Sequence, residues 1–300
     1  MQLSSNTIPS SILQPLPARR AIRLATAVEN LPSLRRVLET AYRHYFNGVS
    51  GHARLFRGVY ADFASATHAI PATQLQGYDN LHSAYRLRND RFRIWPCDYP
   101  VMFWLGQLLP QCRQLFDWGG NVGISYFAYR KYLPYPTELE WLVSDVPAVV
   151  SAGLEIADEE YAPGLRFTTM LDELCSSDVL LAAGSLHFIE DPFANLSAQR
   201  ALPRHILLNK VPVYELPAAV TLQNMGTSFC PNHLFNRNDF VRGFENLGYE
   251  LVDEWQSPDL SCRIPFFSKH CIPAYSGFYF RKPGSEVAWP GTPSFGNARV

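Results

Sequence analysis

The sequence predicts an α/β protein: a mostly parallel sheet of seven strands with helices on both faces, preceded by a largely helical segment. Three observations predict it. From Leu108 onward, short apolar runs alternate with helix-length segments, the pattern of strand–helix–strand units. One of these strands runs directly into a glycine-rich turn that opens a helix. The last two strands follow each other through a loop without a helix, which predicts a terminal hairpin and an antiparallel edge strand.

Residues 1–17 are rich in Ser and Pro and read as a flexible N-terminus. Residues 18–107 read as a helical cap. A helix is expected over Ala18 to Phe46, where Leu31, Leu34, Val37, Leu38, Ala41, Tyr42 and Tyr45 recur at helix spacing and Asn47-Gly48 provides a stop. Further helices are expected from about Ser65 to Gly77 and from Tyr78 to Asp90. Residues 108–283 form the α/β domain. Its strands are expected at Gln114 to Asp117, Glu138 to Ser144, Arg166 to Thr168, Val179 to Ala183, His205 to Asn209, Tyr249 to Trp255 and Ala274 to Arg281. Helices fall between them at Gly123 to Tyr132, Pro147 to Ala157, Pro192 to Gln199 and Arg237 to Leu247. The tail, 284–300, reads as loose.

Composition narrows the classes of function. The chain of 300 residues is 47% hydrophobic and 18% charged, which suits a globular protein with a sizeable core. Its formal net charge of -1 gives no global field for nucleic acid or an anionic membrane. Two local basic clusters stand out, Arg19, Arg20 and Arg23, and Arg86, Arg88, Arg91 and Arg93. Each reads either as a solvated face or as a contact for an anion. The 6 cysteines show no C-x-x-C pair and no zinc-like Cys/His spacing, so no metal site is expected and a reducing, cytoplasmic setting is. No transmembrane segment and no signal peptide are read.

The segment Asp117-Trp118-Gly119-Gly120-Asn121-Val122-Gly123 carries the most chemistry. Glycines without Cβ admit positive φ and a ligand close to the main chain, and the start of a helix offers N–H donors and a positive dipole end. A dinucleotide-binding turn spaces its glycines G-x-G-x-x-G around a pyrophosphate. Here they run G-G-x-x-G behind a carboxylate, Asp117, which suits a ligand ammonium better than a pyrophosphate. The next strand ends in Asp145, placed to accept from ribose hydroxyls or to cap the helix at Pro147, two roles that are compatible.

In order along the chain, D-W-G-G-N-V-G-I-S-Y-F, S-D-V-P-A-V-V, A-A-G-S-L-H-F-I-E-D and L-N-K-V-P-V resemble the motifs of Rossmann-like class I methyltransferases. The stretch from about Leu115 to Lys282 is similar to a family of bacterial S-adenosylmethionine-dependent methyltransferases. Its later hallmarks are matched by Thr221 to Asn224, Phe235 to Arg237, Leu247 to Glu250 and Gly277 to Arg281. The resemblance implies a Rossmann-like methyltransferase fold and S-adenosyl-L-methionine as cofactor, but not a substrate; the expected reaction is methyl transfer, in the first instance to oxygen, on a small-molecule or glycan acceptor. The competing readings are a nucleotide (NAD)-dependent oxidoreductase or epimerase, and an S-adenosylmethionine-binding protein without catalysis. No Tyr-x-x-x-Lys pair supports the former.

On this reading Asp117, Gly119, Gly120, Asn121, Gly123, Asp145, Thr168, Gly184 and Ser185 are expected around the cofactor. Thr168 has an equal claim to a capping role. His187 is the candidate general base, since a neutral imidazole can take a proton near pH 7, with a structural histidine as the rival reading. Lys210, His233 and Arg237 are candidate acceptor contacts, Lys210 being equally readable as a solvated strand end and His233 and Arg237 more readily as parts of a structural loop. The helical cap either covers the site or forms a homodimer contact.

Overall fold

A computed structural model describes residues 32–49 and 54–285. The stretch to Pro17 expected to be flexible, the first part of the helix expected from Ala18, the Arg19, Arg20 and Arg23 cluster, and the tail beyond Ser285 lie outside the described residues.

The chain opens with α1 (Pro32–Gly48), whose Tyr42 and Phe46 are buried with Leu55, Leu222 and Phe229. Then come β1 (Leu55–Tyr60), α2 (Phe63–His68), α3 (Leu81–Tyr85) and α4 (Tyr99–Leu108). The helices expected over 65–77 and 78–90 are each a turn or two. Asp62 and Asn80 start them, their side chains accepting from the N–H of Ser65 (2.7 Å) and Ser83 (2.9 Å). Pro71 follows the first at once, and Gly77, at φ +70°, separates the pair.

The α/β part runs β2 (Gln114–Trp118), α5 (Ile124–Tyr129), β3 (Glu140–Ser144), α6 (Pro147–Glu159), β4 (Leu165–Thr168), β5 (Val179–Ala183), α7 (Pro192–Ser197) and β6 (His205–Val211). Next are β7 (Val213–Tyr214), β8 (Ala219–Asn224), β9 (Phe229–Asn236), α8 (Arg237–Asn246), β10 (Glu250–Ser257) and β11 (Tyr275–Arg281). Seven strands form the main sheet in the order β10-β11-β6-β5-β2-β3-β4. Strands β2 to β6 pair in parallel, while β11 is antiparallel to both β6 and β10. The antiparallel strand is thus one in from the edge, and β10 is the edge itself. Successive residues bury on opposite faces: Leu115, Trp141, Val143 and Leu181 on one, Phe116, Leu142 and Leu180 on the other. Both faces are covered, as a parallel sheet requires.

A second sheet, in the order β1-β8-β9-β7, has no counterpart in the sequence reading. It joins Leu55–Tyr60 to β8, with Leu55 opposite Asn224 and Arg57 opposite Leu222. Asn224 clamps the end of α1 through Nδ2, which donates to the carbonyl of Phe46 (2.6 Å) and of Val49 (3.0 Å). The covering layer therefore combines the N-terminal helices with strands supplied from between Val213 and Asn236.

One glycine is fixed by its cross-strand neighbour. A Cβ on Gly277 of β11 would lie 2.1 Å from Cε2 of Trp255, directly opposite on β10. Gly277→Ala is expected to cost about 1–3 kcal/mol by forcing the indole from its place, read as a lower urea midpoint at unchanged m-value.

The candidate active site

Within the main sheet, β2 is flanked by β3 on one side and β5 on the other, so the connections run opposite ways from it. Ligands of open α/β sheets bind at the carboxyl ends of the strands where this reversal occurs. A cavity of about 740 Å³ opens there. Its wall includes Trp118, Gly119, Gly120 and Asn121 after β2, Asp145 after β3, and Gly184 and Ser185 after β5. The second sheet and the N-terminal segment close the other side with Arg54, Tyr78, Arg86, Arg93, Gln223 and Met225.

The glycine turn is built for its own packing as much as for a ligand. Gly119 has φ +71°, and a Cβ there would fall 2.3 Å from Cβ of Ser185. On Gly120 it would fall 2.5 Å from the carboxylate of Asp117. Gly123, at φ +84°, would meet Leu165 at 2.8 Å, so it seats the helix against β4 and is not on the cavity wall. Five of the donors expected to be free are engaged within the protein. Gly119 N–H donates to Ser144 O (2.7 Å), Gly120 N–H to Asp117 O (3.3 Å), and Gly123 and Ile124 N–H to Gly120 O (3.2 Å each). Asn121 N–H donates to Asp145 Oδ2 (2.9 Å).

Asp117 is fully buried behind Gly120 and does not line the cavity. Trp141 Nε1 donates to its Oδ2 (3.1 Å), and Oδ1 has no partner. Burial pushes its carboxyl up to about 7. The expectation that it meets a ligand ammonium directly is therefore corrected: it supports the turn from behind. The folded protein holds this proton more tightly than the unfolded chain does. Ionisation above about pH 7 thus costs stability, and that cost is relieved as pH falls through the folded value toward 4. Asp117→Asn keeps an oxygen for Trp141 and removes the charge. It is expected to raise Tm at pH 8.5 by ~5 °C and by about half of that or less at pH 5, as thermal unfolding at the two pH values will read.

Asp145 lies on the wall. Its Oδ2 accepts from Asn121 N–H and its Oδ1 from Val146 N–H (2.8 Å). Burial pushes it up to about 6, against these two hydrogen bonds. Ser185 Oγ donates to the carbonyl of Trp118, which ties the β5 loop to the β2 turn. Gly184, at φ +92°, faces the Lys210 side chain, where a Cβ would lie 3.3 Å from Cδ.

His187 follows in a short turn, 4% exposed and on the cavity wall. Its ring lies 4.2 Å from that of Phe188 and 6.0 Å from that of Tyr275, and its Nδ1 has no partner. Burial, with Arg54 and His233 adding to it, holds the imidazole well below its usual value, so it is neutral at pH 7. Lys210, with φ +61°, also lines the cavity and pairs with the buried Asp98 at 2.9 Å. Burial pulls the ammonium down, but Asp98 outweighs it and keeps Lys210 above its usual value.

Besides Asp117 and Gly123, three more sequence candidates lie off the wall. Thr168 accepts from Met170 N–H (2.9 Å) and donates to Glu173, the capping role, and its neighbour Thr169 takes the place on the wall. His233 is bonded through Nε2 to the carbonyl of Glu190 (2.9 Å) and packed between Phe63 and Phe235. Arg237 holds Glu254 of β10 with its Nε 3.0 Å from Oε1. Each has spent its polar atoms on the fold.

Among the described residues, no helix is long and apolar enough to cross a membrane, and no group of three or more His, Cys, Asp or Glu is placed to hold a metal ion. No family model and no curated protein matches the chain. Similar solved structures include the 1,6-didemethyltoxoflavin-N1-methyltransferase of Burkholderia thailandensis with 1,6-didemethyltoxoflavin and S-adenosylhomocysteine bound. It is 16% identical over 67% of this chain and 84% of that one, with a TM-score of 0.43. An O-methyltransferase family protein from the same organism is 12% identical over 68% and 60%, with a TM-score of 0.45. An O-methyltransferase family 2 protein from Planctomyces limnophilus, in complex with apigenin, is 16% identical over 66% and 60%, with a TM-score of 0.42. Similarity at this level does not extend to a substrate.

Proposed function

We propose that this protein is an S-adenosylmethionine-dependent methyltransferase acting on a small-molecule acceptor, with transfer to oxygen. The observation that carries the reading is how the turn after β2 disposes of its hydrogen-bonding groups. The N–H groups of Gly119, Gly120, Asn121, Gly123 and Ile124 are all taken by protein oxygens, so they are not offered to a pyrophosphate. What faces the cavity from the next strand is instead a carboxylate, Asp145. At this turn, with a carboxylate forward and these N–H groups engaged, ligand hydroxyls are favoured over a diphosphate. The volume of about 740 Å³ suits a cofactor with a small acceptor beside it.

Gly119, Gly120, Asn121, Asp145 and Ser185 are the residues to hold the donor. When bound, it supplies a methyl group on a positively charged sulfur, which leaves alignment, exclusion of water and removal of one proton to the protein. His187 is the residue we assign to take that proton. Its ring is on the wall and neutral at pH 7, and its Nδ1 is buried and unpartnered, so the acceptor hydroxyl would give its proton to Nδ1 as its oxygen takes the methyl group and the methyl–sulfur bond breaks, releasing the thioether.

Calorimetry with S-adenosylhomocysteine and with NADH tests the reading, followed by labelled-methyl transfer to lysate fractions. Binding of S-adenosylhomocysteine and not of NADH is expected, with label appearing in a low-mass fraction. The reverse preference would restore the oxidoreductase reading. Binding without transfer to any fraction would favour a cofactor-binding protein without catalysis.

A further inference from the structure

The basic cluster of Arg86, Arg88, Arg91 and Arg93 divides in two. Arg88 pairs with Glu159 and Arg91 with Glu160, both at the end of α6, so these two dock the N-terminal segment on the main sheet's helices. Arg86 and Arg93 instead line the cavity. Among the described residues neither has a carboxylate within ion-pair distance. The acids that share the wall do not neutralise them. Asp98 is held by Lys210, Asp145 accepts main-chain N–H groups with both oxygens, and Asp90 forms no ion pair with either arginine.

Arg86 is the more demanding of the two. Its Nη2 reaches only a neutral oxygen, the Tyr78 hydroxyl at 3.3 Å, and its Nε is buried with no acceptor. Arg93 sits over Trp95 with Cζ 4.3 Å from the ring centre, a contact that uses none of its N–H donors. A guanidinium on a cavity wall and short of acceptors is a site for a planar anion, since a carboxylate matches its fork of donors. The wall gives such an anion a direction. Tyr78 lies against Phe188 (5.6 Å), and Phe188 against His187 (4.2 Å). One aromatic surface thus links the arginine to the unpartnered Nδ1.

We propose that the acceptor is a hydroxylated aromatic acid whose carboxylate is held by Arg86, with Arg93 as a second contact, and whose hydroxyl reaches His187. This rests on the methyltransferase reading for its reaction but not for its anion site. The test is saturation-transfer NMR on the full chain, with and without S-adenosylhomocysteine. The probes are 4-hydroxybenzoate and 4-hydroxycinnamate, each beside its neutral amide.

Both acids are expected to bind at least ~10-fold more tightly than the amides, the ratio for losing one charge-assisted hydrogen-bonded pair. Arg86→Gln is expected to erase the preference and Arg86→Lys to keep part of it, with S-adenosylhomocysteine affinity unchanged in both as the check on folding. Arg93→Gln is expected to reduce the preference without erasing it. Equal binding of acids and amides, including no binding of either, overturns the proposal. So does an acid preference that survives Arg86→Gln. If Arg86→Gln weakens S-adenosylhomocysteine but not 5′-methylthioadenosine, the anion is the cofactor's own carboxylate, and the acceptor assignment falls. An acid preference without affinity for S-adenosylhomocysteine leaves the anion site standing and overturns the donor reading alone.

Discussion

Asp145→Ala is expected to raise the Kd for S-adenosylhomocysteine by at least ~100-fold, a loss of two charged hydrogen bonds at about 1.5–3 kcal/mol each. Two effects add. The ligand hydroxyls lose a charged acceptor, and the N–H groups of Asn121 and Val146 lose theirs, so the turn itself loosens. Asp145→Asn separates them. It keeps one oxygen to accept a main-chain N–H but removes the charge, and should fall between wild type and the alanine variant. The carboxyl titrates at about 6 because burial favours its neutral form. Ligand contact favours the ionised form. Affinity should therefore be full above pH 7 and weaken as pH falls through about 6, and the alanine variant should lose this dependence. Calorimetry at pH 5.5, 6.5 and 7.5 reads both effects. An Asp145→Ala protein that binds with wild-type affinity would remove the carboxylate from the site.

The legibility of the site follows from how local each feature is. The turn after β2 is carried by consecutive residues, so Asp117, the glycines and Asp145 could be read from spacing. What spacing did not give was direction. Asp117 is two residues from Gly119, yet it lies behind the main chain, because β2 alternates faces and the side chain is trapped against Trp141. The second sheet was hidden for a different reason. Leu55 pairs with Asn224 and β7 has only two residues, so nothing local marks either strand. Pro231 inside β9 argues against a strand on sequence grounds. It is tolerated because β7 pairs with β9 only at Phe235 and Asn236, which leaves the flank at Pro231 without a ladder partner. That sheet closes the cavity, so Gln223 and Met225 were missed as wall residues with it. Arg86 and Arg93 were visible as a basic cluster, but only the fold separates them from Arg88 and Arg91.

His187→Ala is expected to lower kcat for methyl transfer by about 10²–10⁴, the usual contribution of a positioned proton acceptor, while leaving the Kd for S-adenosylhomocysteine within twofold. The split follows from its place. The ring packs on Phe188 and Tyr275, neither of them assigned to the donor, and it makes no hydrogen bond through Nδ1 that the fold would miss. His187→Phe fills the same space without a nitrogen and removes the objection that alanine opens a cavity. If His187 only packs, His187→Phe will transfer methyl groups nearly as well as wild type. If it takes the proton, His187→Phe will be as slow as His187→Ala, and the remaining rate should rise with pH as acceptor ionisation replaces the missing base. The wild-type rate should be flat from pH 7 upward, because burial holds the imidazole far enough below its usual value that it is already neutral there. A pH–rate profile of wild type against His187→Phe, measured on an accepting lysate fraction at saturating donor, distinguishes the two roles by the slope of the variant alone.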